Sequence, residues 1–190
     1  MKRLFVAIKI DPDPGFLTFY RSLKNSLGAE RIKWVEEHNL HITLKFLGET
    51  PEGLIPKTNN ILAEYTRGLS RFNFQLKGLG VFGSRFAPRV IWTGLEPFME
   101  ITGMMHDIQR DFMPIGFEKD RQNHVPHLTL GRVHSLRDRI LFQQLLDQHK
   151  GFSGAVHLVD CLILYESILK QDGPEYRIIQ KYLFGKKDQG

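Results

Sequence analysis

The string His-x-Thr-Leu stands twice in the chain, as His41-Ile42-Thr43-Leu44 and as His127-Leu128-Thr129-Leu130, 86 positions apart (127 − 41). The same offset carries the first apolar run, residues 4–10, onto residues 90–96, and brings the helical and strand-like stretches that follow onto counterparts. One offset that aligns five elements is the mark of an internally duplicated βαβαβ unit. The units cover roughly residues 4–82 and 89–168, and no Pro/Gly/Ser-rich or low-complexity stretch divides them. Residues 1–190 are therefore expected to form a single bilobal domain whose lobes are related by an approximate two-fold.

In the first unit, the short β-branched run Leu4 to Ile10 predicts a buried strand, closed by Asp11-Pro12-Asp13-Pro14-Gly15, which no helix interior tolerates. Apolar residues from Phe16 to Leu27 recur at helical spacing, with Gly28 as a stop. A strand over Leu40 to Gly48, a helix over Leu54 to Leu69 and an alternating strand over Phe72 to Phe82 follow. The second unit predicts a strand over Arg89 to Glu96, a helix from Pro97 to about Phe112 and a strand over His127 to Val133. A helix around Leu136 to Gln148 and one long apolar strand from about Val156 to Leu164 complete it. Tyr176 to Phe184 is a further strand candidate beyond the repeat, and Lys186 to Gly190 reads as a frayed tail.

At 190 residues and 42% apolar content the chain can bury a real core, and disordered or fibrous classes are excluded. Cys161 is the one cysteine, so neither a disulfide scaffold nor a Cys-rich zinc module is open. The basic start Met1-Lys2-Arg3 leads into an apolar run that Lys9 and Asp11 cut short, far below the ~20 residues of a membrane helix. A soluble, cytoplasmic protein without a membrane partner is expected. The net charge of +5 favours a phosphate-bearing ligand.

On a strand, residues i and i+2 share a face, so His41 and Thr43 point one way while Ile42 and Leu44 point the other, and His127 and Thr129 oppose Leu128 and Leu130. Two lobes related by a two-fold then bring two imidazoles and two hydroxyls to one cleft. Imidazole titrates near pH 6.5, so one ring can accept a proton while the other donates one in the same displacement. Hydroxyls beside them can hold the oxygens of a phosphoryl group. The combination points to phosphodiester hydrolysis by in-line attack of water, with no nucleophilic Ser or Cys and no cofactor.

The stretches Leu4 to Ile10, Lys33 to Gly48, Asp120 to Arg132 and Leu164 to Ser167 together resemble the 2H phosphoesterase superfamily, and most closely its RNA 2′,3′-cyclic phosphodiesterases, historically called 2′-5′ RNA ligases. The resemblance implies an α+β fold of mainly antiparallel sheets lining a central groove. It implies opening of a 2′,3′-cyclic phosphate at an RNA 3′ end to a 2′-phosphate, without metal, and in some members reversible 2′-5′ ligation. It further implies His41 as general acid, His127 as general base, and Thr43, Thr129 and Arg132 as phosphate contacts. A monomer with no obligate protein partner suffices for such a site. The repeat makes the two histidines nearly equivalent, so which is acid and which is base stays open.

Strict alternation aims Arg132 at the core, so a bulge or strand end near Gly131 is expected to turn it back. His124 stands where many relatives carry Phe or Tyr and is a candidate nucleotide contact, as is Lys45, which shares the His41 face by alternation. Trp34, Trp92, Phe46 and Phe82 are expected in the core or groove wall, and Tyr165-Glu166-Ser167 is a family signature without a chemistry that spacing assigns. Two rival classes remain. His38-x-x-His41 and His124-x-x-His127 could hold a metal where the lead-in is irregular, as Pro126 allows in the second copy. A basic groove could also bind RNA without turnover.

Overall fold

Apolar faces of two antiparallel sheets, each covered by two helices, account for most of what this sequence buries. The computed structural model describes residues 1–119, 125–171 and 173–185. In chain order the elements are β1 (Lys2–Lys9), α1 (Pro14–Ser26), β2 (Arg31–Trp34), β3 (His41–Thr50), α2 (Ile55–Arg67), β4 (Phe72–Ser84), β5 (Ala87–Glu96) and α3 (Met99–Phe112). They continue with β6 (Leu128–Ser135), α4 (Arg139–His149), β7 (Ser153–Val159), β8 (Cys161–Lys170) and β9 (Gly173–Leu183). One sheet has the order β3-β1-β8-β9 and the other β2-β6-β5-β4-β7, which is the α+β, antiparallel architecture expected.

The long strand β4 pairs into the sheet of β5 and β6, while β8 pairs into the sheet of β1 and β3. The helices follow the same exchange: α2 and α3 pack on the first sheet, α1 and α4 on the second. Each half of the chain thus supplies two strands and a helix to the other half's sheet: β2, β4 and α1 in one direction, β8, β9 and α3 in the other.

Local chemistry explains the element ends. Asp13 caps α1 by accepting from the Gly15 and Phe16 amides at 2.9 and 3.0 Å, with Pro14 in the first turn, where its missing N–H costs nothing. Phe16, Phe19, Tyr20 and Leu23 then share the buried side of the helix. Asp138 caps α4 through the Leu141 amide at 2.8 Å. The main core runs between these helices and the inner strands, from Val6, Ile8, Ile42 and Leu44 on one sheet to Phe74, Ile91, Leu128 and Leu130 on the other.

One expectation is corrected, and one strand is added. The predicted single strand over Val156 to Leu164 is two strands in different sheets, because the chain crosses at Asp160 from β7 to β8. An apolar run reports burial but not which sheet supplies it; here β7 is an edge strand with Val156 and Leu158 exposed, whereas Leu162 and Leu164 are core. The short strand β2 went unanticipated, since its four residues include Arg31 and Lys33 and carry little strand signal. It pairs with β6 all the same.

Both motif-bearing strands are bulged three residues after the histidine. Along β1 the partners of Val6 and Ala7 are Lys45 and Thr43, which leaves Leu44 as an extra residue. Along β5 the partners of Ile91 and Trp92 are Gly131 and Thr129, which leaves Leu130 extra. The Leu130 carbonyl accepts from the Val35 amide at 2.9 Å and lies 3.1 Å from the Tyr20 hydroxyl.

No helix among the described residues is long and apolar enough to cross a membrane. The face opposite the helices has its own tight packing. A Cβ on Gly80 would stand 2.5 Å from Trp92 Cζ2, well inside contact distance. Gly80→Ala is expected to displace the indole and cost about 1–3 kcal/mol of stability by urea unfolding, with a changed near-ultraviolet tryptophan signal. An unchanged midpoint and spectrum would contradict this packing.

Candidate active site

The bulges decide which side chains reach the helix-free faces. Residues directly opposite on paired strands share a face, so Thr43 stands with Ala7 and Phe46 with Phe5 on the side away from the helices. Thr129 stands with Trp92, and Arg132 with Val90. Without the extra Leu130, Arg132 would have followed Leu128 and Leu130 into the core; with it, Leu130 and Gly131 are buried and Arg132 is exposed on the groove face. Gly131 is small for a reason: a Cβ there would lie 2.9 Å from Ile32 Cγ2 and 3.0 Å from Trp34 Cε3. The expected turn near Gly131 therefore sits one residue earlier, at Leu130.

Lys45 is a correction. Alternation placed it beside His41, but the Leu44 bulge turns it to the core face with Val6, where it is 1% exposed and its Nζ donates to the Glu118 carbonyl at 3.1 Å. Phe46, 58% exposed, takes the groove position instead. His124 lies outside the described residues.

The two histidines are held alike. His41 Nδ1 lies 2.6 Å from the Asn39 carbonyl and His127 Nδ1 lies 2.7 Å from the Val125 carbonyl, in each case the residue two before. A carbonyl can only accept, so each ring carries its proton on Nδ1 when neutral, and Nε2 is left for chemistry. Aromatic rings fix the planes. His41 meets Phe5 at 5.0 Å and the edge of Tyr176 at 5.2 Å, and His127 meets Phe82 at 4.7 Å with Trp92 at 6.4 Å. Phe82 and Trp92 are thus groove-wall residues as expected, whereas Trp34 packs edge-on against Tyr20.

Burial holds both imidazoles below the ordinary histidine range, since the charged form loses its hydration. The positive charge of Arg132 pushes each the same way, and His127 adds to the effect on His41. His41 thus lies within electrostatic reach of both His127 and Arg132, and His127 within reach of Arg132. The Thr43 and Thr129 hydroxyls make no hydrogen bond to the described residues and are half-buried on the same two faces.

Two ring partners went unread in the sequence. Phe5 and Tyr176 belong to strands recognised only as strands, and together with Ala7, Ile163 and Tyr165 they make a second, small apolar cluster. The Tyr165-Glu166-Ser167 signature finds its place here: the Tyr165 ring stacks on Phe5 at 5.1 Å, and Glu166 pairs with Lys2 at 3.0 Å on the other side of the strand. Alternation along β8 was the available signal. Among the described residues no group of three His, Cys, Asp or Glu side chains comes together as a metal site, and His38 is exposed in the turn before β3.

Known proteins resemble this chain in sequence and in fold. The family described as "LigT like Phosphoesterase" matches residues 8–92. An RNA 2′,3′-cyclic phosphodiesterase of Methanothermobacter thermautotrophicus is 31% identical over 176 residues, 92% of this chain and 94% of that protein. Among solved structures, a protein of Thermus thermophilus superposes with a TM-score of 0.77 at 23% identity, covering 96% of this chain and 98% of the other. LigT of E. coli, crystallised with 3′-AMP, gives 0.76 at 21% identity, covering 97% and 99%. At these identities the two structures speak for the fold alone. The relative that is 31% identical along nearly the whole length of both proteins settles descent: the chain belongs to the LigT-like phosphoesterases of the 2H superfamily.

Proposed function

We propose that this chain hydrolyses the 2′,3′-cyclic phosphate at an RNA 3′ end to a 2′-phosphomonoester, acting in the cytoplasm as a single bilobal domain without metal. The observation that carries the reading is the matched pair of imidazoles, each with Nδ1–H spent on a carbonyl and Nε2 free, beside Arg132 in one groove. The phosphodiesterase name of the 31% identical relative and the 3′-AMP bound by LigT of E. coli support the substrate class.

In this mechanism Nε2 of His127 takes a proton from water as its oxygen bonds to phosphorus, and Nε2–H of His41 protonates the departing 3′ oxygen as the P–O3′ bond breaks. Thr43, Thr129 and Arg132 hold the non-bridging oxygens, where donors fixed in advance lower the barrier most. If a 5′-hydroxyl replaces water, the same proton transfers yield a 2′-5′ linkage. The near symmetry of the two half-sites suits a step that runs in either direction.

The direct test is turnover of an oligonucleotide ending in a 2′,3′-cyclic phosphate, with the product identified as 2′- or 3′-phosphate. His41→Ala and His127→Ala are each expected to lower kcat by about 10²–10⁴ while RNA binding persists, and EDTA is expected to leave the rate unchanged. Absence of wild-type turnover from pH 5 to 9 would return the site to a binding role, and loss of activity in EDTA would return it to a metal.

The pH dependence follows from the depressed imidazoles. The acid must be protonated in the free enzyme, and its midpoint lies below the ordinary value of about 6.5, so kcat/KM is expected to fall as pH rises through that region. The anionic substrate favours the charged ring and moves the corresponding limb of kcat to higher pH. A kcat/KM that stays flat to pH 8 would contradict the depressed acid.

A further inference from the structure

Lys33 faces the groove beside Arg132. The two are direct partners in the β2–β6 register, and their neighbours confirm the face: Ile32 and Trp34 pack on the core, as does Val133, while Lys33 and Arg132 are exposed. Like charges directly opposite on adjacent strands destabilise a sheet unless something negative lies between them. Neither cation has a carboxylate partner among the described residues, although other exposed cations such as Arg21, Lys77 and Arg110 do. Two adjacent strands stand about 5 Å apart, so the Lys33 stem begins one strand further from His127 than Arg132 does.

The far side of this position is closed by the other sheet. The start of β9 comes so near that a Cβ on Gly173 would stand 3.9 Å from both Cε and Nζ of Lys33. Asn39, whose carbonyl orients His41, donates through Nδ2 to the Pro174 carbonyl at 3.2 Å and holds that hairpin against the segment leading into β3. Lys33 therefore reaches across one end of the groove toward the start of β9.

We propose that Lys33 binds a second phosphate of the substrate, next to the one that Arg132 holds: the internucleotide phosphate on the 5′ side of the terminal nucleotide. The inference rests on the cyclic-phosphate reading above and makes the substrate an RNA chain rather than a mononucleotide. Arg132 serves the reacting phosphate, and the ammonium of Lys33 neutralises the next one along the strand. A mononucleoside 2′,3′-cyclic phosphate has no group to offer there.

The test compares kcat/KM for a dinucleotide ending in a 2′,3′-cyclic phosphate with that for the corresponding mononucleoside 2′,3′-cyclic phosphate, in the wild type, Lys33→Gln and Lys33→Arg. The wild type is expected to prefer the dinucleotide, Lys33→Gln to shrink that preference about tenfold through KM, and Lys33→Arg to keep it. The salt dependence of dinucleotide binding should fall by about 0.7 in logarithmic slope in Lys33→Gln, as the loss of one phosphate contact on a single strand requires. An equal loss on both substrates, or no wild-type preference, would overturn the proposal and leave the cyclic-phosphate reading standing. Turnover of neither substrate by the wild type would overturn both.

Discussion

One extra residue in a strand governs what the groove can do. The Leu130 bulge lets β6 keep Leu128 and Leu130 in the core and still present Arg132 to the site, although strict alternation forbids it. The bulge is anchored by the Val35 amide, just beyond the paired strand β2, and by the Tyr20 hydroxyl of α1, both of which approach the Leu130 carbonyl. A helix on the covered face thus fixes the position of a guanidinium on the open face. The same device at Leu44 has a different outcome: Lys45 goes inward and Phe46 outward, so the two half-sites share a backbone and differ in chemistry.

The electrostatics follow from that backbone. Aromatic rings surround both histidines, and burial removes the water that would favour imidazolium. Arg132 adds repulsion to both. A site that discourages its own positive charge is one that gains most when an anion arrives, because the ligand supplies the missing counter-charge to two imidazoles and a guanidinium together. Nearby, Tyr165 stacked on Phe5 makes an apolar floor under His41, which keeps the dielectric around that ring low.

Much of this was legible before any coordinate. The motif pair, its offset and the face each histidine takes came from period-two alternation, and the bulge near Gly131 followed from asking how Arg132 could escape the core. Alternation fails at Lys45, because a bulge at Leu44 leaves no mark in composition; its counterpart is the bulge at Leu130, one repeat away. The crossing at Asp160 was hidden for another reason, since strand pairing between distant segments is set by tertiary packing rather than by local hydrophobicity. Phe5 and Tyr176 were missed because a ring in a strand looks the same whether it faces core or groove.

The central claim is that His41 and His127 are two imidazoles, each protonated on Nδ1 when neutral, that face one phosphate. Nuclear magnetic resonance of the imidazole nitrogens, followed with pH in the free protein and with a 2′-nucleoside monophosphate added, tests it most directly. The account predicts the Nδ1–H tautomer for both rings, midpoints below 6.5 in the free protein, and an upward shift of both when the phosphate binds. An Nε2–H tautomer at either ring, or a phosphate that moves only one of the two, would contradict it.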